Sequence, residues 1–236
     1  MFDSKFTFFI ANLAGFPGFN SFDDDIWILK LVEFVKKILF EQTRVRLIGV
    51  CFGHQIIGRA LGQKVGRSEG GWEISVTPMQ LTKKGREVFG VGELVSSCLI
   101  IFLFHGFVGL CCWSVGPFWG VELGACSAYL QYMLTHLKKQ AIHQMHQDAV
   151  YTYPPSVEHL GHSPGCHVQG MYEKKRLITT QGHPEFDGDI VTELLENRHD
   201  RGVFDDATYE DAMKRVRKHH DGVAVAAAFV RFLLEG

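Results

Sequence analysis

The sequence has no excess of either charge, no charge-led apolar leader and no phosphate-loop motif, and each absence removes a class of function. Lysine plus arginine number 24 against 26 aspartate plus glutamate, a formal net charge of -2. That balance offers no basic surface for nucleic acid or an anionic bilayer. Short basic runs such as Lys174-Lys175-Arg176 read as solvated turns. Without a charged-apolar-small leader, the expected compartment is reducing and most simply cytoplasmic. The glycines at 58, 62, 66 and 70 recur at every fourth position, but the Lys-Ser/Thr of a phosphate loop is missing. They read as helix-end and turn glycines.

Charge is missing altogether from residues 94 to 121, a stretch crowded with Phe, Trp, Cys and Gly. Its length satisfies the rule that about 20 apolar residues cross a bilayer. Yet Gly106, Gly109, Gly116, Pro117 and Gly120 break the run, and α/β-like sequence flanks it on both sides. A span there would also strand the two chemistry-bearing segments described below on opposite sides of a membrane. The expectation is that it does not span. Of the six cysteines, Cys98, Cys111, Cys112 and Cys126 fall in this region, leaving Cys51 and Cys166 in ordinary sequence.

The 236 residues are enough to bury a sizeable core. Residues 23 to 41 have the spacing of an amphipathic helix, with Asp23, Asp24 and Asp25 placed as cap and first-turn charges. A β-branched strand follows at 45 to 50, then a sharp turn and a helix from Gln55 to Leu61 that Gly62 ends. Helix, buried strand, tight turn and helix together are the grammar of a parallel α/β sheet. Residues 73 to 81 read as a strand that Pro78 keeps near a sheet edge. Residues 168 to 172 and 176 to 180 read as a hairpin. Helices are expected at 189 to 197, 205 to 218 and 221 to 234, the last a core helix capped by Asp221.

The strongest chemical signal is Gly49-Val50-Cys51-Phe52-Gly53-His54-Gln55, set between a strand and a helix. It has the form of a nucleophile elbow, with small residues allowing a strained turn. The turn would aim the Cys51 sulfur out of the sheet at the positive end of the next helix, a field that favours thiolate. The Phe52 backbone N–H would point at the oxyanion formed on attack. The competing reading is a structural cysteine. A second block, Gln181-Gly182-His183-Pro184-Glu185, follows a predicted strand. In extended chain, residues two apart face the same way, so Glu185 can hold the His183 tautomer whose other nitrogen faces Cys51. His159, His162, Cys166 and His167 are close enough in sequence to raise zinc, but their spacing matches no common finger. The reading calls for no metal and no cofactor.

These two blocks resemble the signatures of class I glutamine amidotransferase domains. Residues 22 to 62, 70 to 90 and 142 to 186 resemble a stand-alone subgroup that includes the plant gamma-glutamyl peptidases. The resemblance implies a flavodoxin-like α/β fold, a central and mostly parallel sheet flanked by helices, as one domain over 1 to 236. It implies hydrolysis of glutamine or a gamma-glutamyl compound through a thioester on Cys51, with His183 as base and Glu185 as its orienter. It places Gln55 near the bound gamma-glutamyl group. His146 matches a segment whose backbone grips the substrate's α-amino acid moiety, or else it is a strand-end histidine with a local hydrogen bond. An ammonia-accepting synthase partner is possible under the same resemblance, and neither nucleic acid nor membrane is expected.

Two departures from the family pattern bear on activity. Residues 1 to 19 are atypical, so the first strands of the sheet and the loop carrying a second oxyanion donor are expected to be missing. Residues 91 to 137 have the composition of arbitrary translated sequence and read as a non-native apolar insert, hypothesised to be a retained intron. Transcript reads lacking any splice across it would count against that. The expected consequence is a poorly stable chain of weak or no activity. Two other functions remain in view, a catalytically inactive binding relative and a membrane-anchored protein using 94 to 121.

Overall fold

In a computed structural model of the chain, residues 7–10, 19–90 and 139–234 are described, with backbone alone for 7–10 and Lys139. Strands β1 (Thr7–Ile10), β2 (Arg46–Val50), β4 (Glu73–Leu81), β5 (Lys139–His146), β7 (Glu158–His162), β8 (Gly170–Glu173) and β9 (Leu177–Thr180) form one sheet in the order β1-β2-β9-β8-β7-β4-β5. Strands β3 (Val65–Arg67) and β6 (Asp148–Val150) pair separately. The helices are α1 (Ile26–Glu41), α2 (Phe52–Ala60), α3 (Lys83–Phe89), α4 (Gly188–Asp200), α5 (Asp206–Arg215) and α6 (Gly222–Leu234).

Alternation along the strands sorts side chains to two covered faces. Leu47 and Leu177 pack with α1 and α2, beside Val32, Val35, Ile56 and Ile57. Their neighbours Ile48 and Ile178 turn to the other face, against Phe89 of α3 and Val225 and Phe229 of α6. A third cluster packs Ile74 and Met145 against Val191, Leu195, Ala212 and Val216.

The α/β class expected from the sequence is present, but the sheet is mixed rather than mostly parallel. Among the described residues only β1–β2 and β2–β9 run parallel, while β8–β9, β7–β8, β4–β7 and β4–β5 are antiparallel. Parallel neighbours need a covering crossover, and the chain supplies one between β1 and β2. From β8 to β9 it turns back within three residues, which can only yield an antiparallel pair. The atypical N-terminus also contributes more than expected. Its Thr-Phe-Phe-Ile run pairs from Thr7↔Arg46 to Ile10↔Gly49, because a β-prone tetrapeptide satisfies the hydrogen-bonding edge of β2.

Local expectations divide similarly. Gly62, at φ 82°, follows the end of α2 as read, and α2 itself begins earlier, at Phe52. The aspartates before α1 do not cap it. Asp25 makes no side-chain cap bond, and the Asp23 carboxylate accepts from Asn20 N at 2.7 Å. Arg59 of α2 draws the same loop in, donating to Asp23 O and pairing with Asp24. The Asp221 carboxylate, just before its helix, accepts the Ala141 N–H at 2.7 Å. Helix α6 buries Val225, Ala228, Phe229 and Phe232 but exposes Val223 and Leu234, so it lies on the core rather than within it. Pro78 lies in a next-to-edge strand, outside the short β4–β7 ladder at Gln80 and Leu81, where its missing N–H costs little. Residues 91 to 137, including the candidate span at 94 to 121, lie outside the described residues. No helix among the described residues is long and apolar enough to cross a membrane.

Candidate active site

Strands β2 and β9 are parallel neighbours, so the segments that leave their C-terminal ends emerge side by side. That end of an open α/β sheet is where ligands characteristically bind. The two sequence blocks occupy it. Cys51 follows Val50, and its N–H donates to Thr180 O at 2.9 Å. The backbone there takes φ 48° and ψ -102°, a conformation that L side chains seldom adopt and that costs strain. Helix α2 starts at the next residue. Gly49 permits this turn, since a Cβ there would lie 2.7 Å from Ile57 Cδ1 and 3.0 Å from the Gly53 carbonyl carbon. The turn expected from small residues is therefore present.

Three residues beyond Thr180, His183 is pinned by its N–H to His143 O at 2.8 Å. Its imidazole is fully buried, stacks on Phe186 with centroids 4.0 Å apart, and sets Nδ1 2.8 Å from Glu185 Oε1. The carboxylate is half-exposed. A carboxylate at Nδ1 fixes the tautomer and the orientation of the buried ring.

Electrostatics depart from the thiolate expected at the helix end. Burial pushes the Cys51 thiol up to about 12, the Glu185 charge pushes the same way, and the Phe52 backbone N–H opposes them. Burial also lowers His183 below its usual value, against the raising influence of Glu185. Desolvation penalises a charge on either group more than the helix end favours one. Both shifts favour the uncharged forms, thiol and imidazole.

Cys51 and Phe52 open onto a cleft of about 140 Å³ whose walls include Trp72, Asp148 and Arg198. Gln55 lines it too, but its amide is engaged by protein groups: it accepts from Ser21 Oγ and donates to Asp148 O and Gln181 Oε1. His146 sits in the same wall with Nδ1 3.0 Å from Asp148 O and Nε2 3.2 Å from Glu73 Oε2. The ring therefore makes local contacts, while the adjoining Gln147–Asp148 segment borders the cleft. Of the four residues weighed for zinc, only Cys166 joins a compact donor set, with Glu73 and His146, whose ligand atoms lie within 4.8 Å of one another. Hydrogen bonds already occupy it. Glu73 accepts from Ser163 and Gln169, and the Cys166 thiol, pushed to about 12 chiefly by burial, donates to Val168 O.

Sequence reasoning assigned nothing to Gln181 or Arg198. Gln181 stands in the second block and donates from Nε2 to Cys51 Sγ at 3.5 Å. Arg198 lies on a helix dense in charge, and only the fold brings its positive charge to bear on Cys51 and His183.

Comparison with known proteins agrees with this architecture. A family model described as "Glutamine amidotransferase class-I" matches residues 13–108. A glutamine amidotransferase-like protein of Schizosaccharomyces pombe is 31% identical over 212 residues, covering 90% of this chain and 67% of its own length. Gamma-glutamyl peptidase 2 of Arabidopsis thaliana is 24% identical over 84% of this chain and 62% of the peptidase. This chain therefore spans about two-thirds or less of these relatives. The crystal structure of a glutamine amidotransferase from Thermotoga maritima superposes with a TM-score of 0.56 at 16% identity, over 92% of this chain and 75% of that one, a likeness of fold.

Proposed function

This chain belongs to the class I glutamine amidotransferase family, and from that membership we propose that it hydrolyses the side-chain amide of glutamine or of a gamma-glutamyl compound. Cys51 is the nucleophile, His183 the general base and acid, and Glu185 the group that orients His183. The observation that carries this is the strained Cys51 turn beside the end of β9, from which the His183–Glu185 pair projects at 2.8 Å. Neutral partners at rest mean that the thiol proton passes to His183 as sulfur attacks the amide carbon. The Phe52 N–H faces the developing oxyanion, and the leaving amine takes the proton from His183. Water, activated by His183, then cleaves the thioester to release glutamate. Gln55 and the 146–148 segment border the gamma-glutamyl group.

Likeness to a gamma-glutamyl peptidase supports a gamma-glutamyl substrate, and ammonia supply to a synthase partner is the other use of the same chemistry. Glutamate release from glutamine and from gamma-glutamyl dipeptides separates the two. Cys51→Ala is expected to abolish both activities, and turnover persisting in that variant would reject the reading. The cysteines among the described residues, Cys51 and Cys166, are free, which suits the cytoplasm. The reading as a binding relative draws on one observation, the buried thiol at about 12. Failure of a glutamine-like electrophile to label Cys51 would support it.

A further inference from the structure

Between Cys51 and Asp148 lies a chain of buried amides with a defined direction. The Asp148 backbone carbonyl can only accept, so the Gln55 atom 2.9 Å from it is the amide nitrogen. Gln55 Oε1 is thereby left to accept from Ser21 Oγ at 2.7 Å. A second proton on Gln55 Nε2 reaches Gln181, 3.0 Å away, and calls for an oxygen there. Gln181 then has only its own Nε2 to turn to the Cys51 sulfur, at 3.5 Å. Ser21, Gln55 and Gln181 are all buried, so solvent does not compete for these bonds. The Gln181 backbone N–H, bonded to Gln169 O at 2.9 Å, holds the residue in place.

We propose that Gln181 is a catalytic donor to the Cys51 sulfur, and that Gln55 and Ser21 are positioning residues that keep its amide in the donating orientation. The proposal rests on Cys51 being the nucleophile. A neutral thiol gains little from such a donor, whereas a thiolate gains a charge-assisted bond. The benefit falls where sulfur is anionic, as its proton leaves for His183 and again when the thioester breaks and sulfur departs. Gln181 gives the sulfur a fixed N–H donor in a site that burial otherwise makes hostile to charge, and leaves the Phe52 amide to the oxyanion. Gln55 then serves the nucleophile by holding Gln181.

Alkylation of Cys51 by iodoacetamide, followed by mass spectrometry of its peptide, reports the thiolate without requiring turnover. Gln181→Met keeps the volume and removes the donor. At fixed pH its alkylation rate is expected to fall about tenfold, the size of one charge-assisted hydrogen bond. Its kcat should fall with KM retained. Gln55→Met frees the Gln181 amide to flip and should give a smaller loss in the same direction. An unchanged alkylation rate in a folded Gln181→Met protein overturns the proposal. If that variant does not fold, an unchanged rate in Gln55→Met overturns it instead. Slowed alkylation in a chain that hydrolyses nothing keeps the donor and rejects the hydrolase, and turnover with unchanged alkylation does the reverse.

Discussion

Burial governs the individual side chains of this molecule, and histidine shows it most plainly. His54 lies wholly inside, with Nδ1 2.8 Å from Thr179 Oγ1, and burial followed by the charge of His146 lowers its pKa from 6.5 to about 3. The folded protein thus holds His54 neutral at pH values where the unfolded chain would protonate it. Its stabilising contribution is complete above 6.5 and is lost as pH falls from there toward 3. By pH 5 the loss reaches about 2 kcal/mol. His143, lowered to about 4, acts in the same direction. Urea unfolding at pH 7 and pH 5 should show this acid loss, and His54→Gln should reduce it by about 2 kcal/mol. Equal losses in the two proteins would remove His54 as a cause. The sequence marks Cys51, His183 and Glu185 as candidates because their neighbours in the chain carry the pattern. It does not mark their charge states, since desolvation depends on what packs around them.

Among the elements, the junction of α1 and β2 depends on a residue that the sequence reads as part of a solvated turn. Lys174 and Lys175 are indeed exposed. Arg176 instead reaches across to the end of α1, donating to the carbonyls of Ile38, Leu39, Gln42, Thr43 and Val45. A helix C-terminus leaves such carbonyls without intrahelical partners, and a planar cation suits both the dipole and the geometry. Arg176→Ala is expected to destabilise the protein by about 2–4 kcal/mol, with Arg176→Lys recovering only part of it. Chemical denaturation of both variants tests this, and a loss within about 0.5 kcal/mol of zero would show the contacts to be incidental. The hairpin carrying Arg176 was legible from two short apolar runs around a charged turn. Its partner was not, because the carbonyls lie more than a hundred residues away in sequence.

At the scale of the whole molecule, the apolar stretch 91 to 137 is proposed to be foreign to the domain. The described residues on either side meet directly. Phe89 packs with Val225 and Phe229, and β4 and β5 pair over eight residues from Glu73↔His146 to Gln80↔Lys139. Replacing 91 to 137 by a short glycine-serine linker is therefore expected to retain the fold, raise soluble yield and leave glutamate release at least at its original rate. Loss of the folded state in that variant would make the stretch part of the domain. If a second oxyanion donor is also lacking, turnover should lie about 10²–10³-fold below that of the longer relatives.

By itself the sequence determined the two chemical blocks, the strand-turn-helix carrying the first, and the α/β class, because local spacing and glycine placement encode each of them. Only the tertiary structure decided the mixed sheet, the edge strand from the N-terminal residues and the neutral resting thiol. It also decided which amide meets the sulfur: Gln55 and Gln181 are 126 positions apart, and nothing local says that they touch. The physical reason is common to all of these. Strand neighbours, desolvation and hydrogen-bond direction are properties of groups brought together by the core, and a one-dimensional pattern records them only where those groups are also neighbours along the chain.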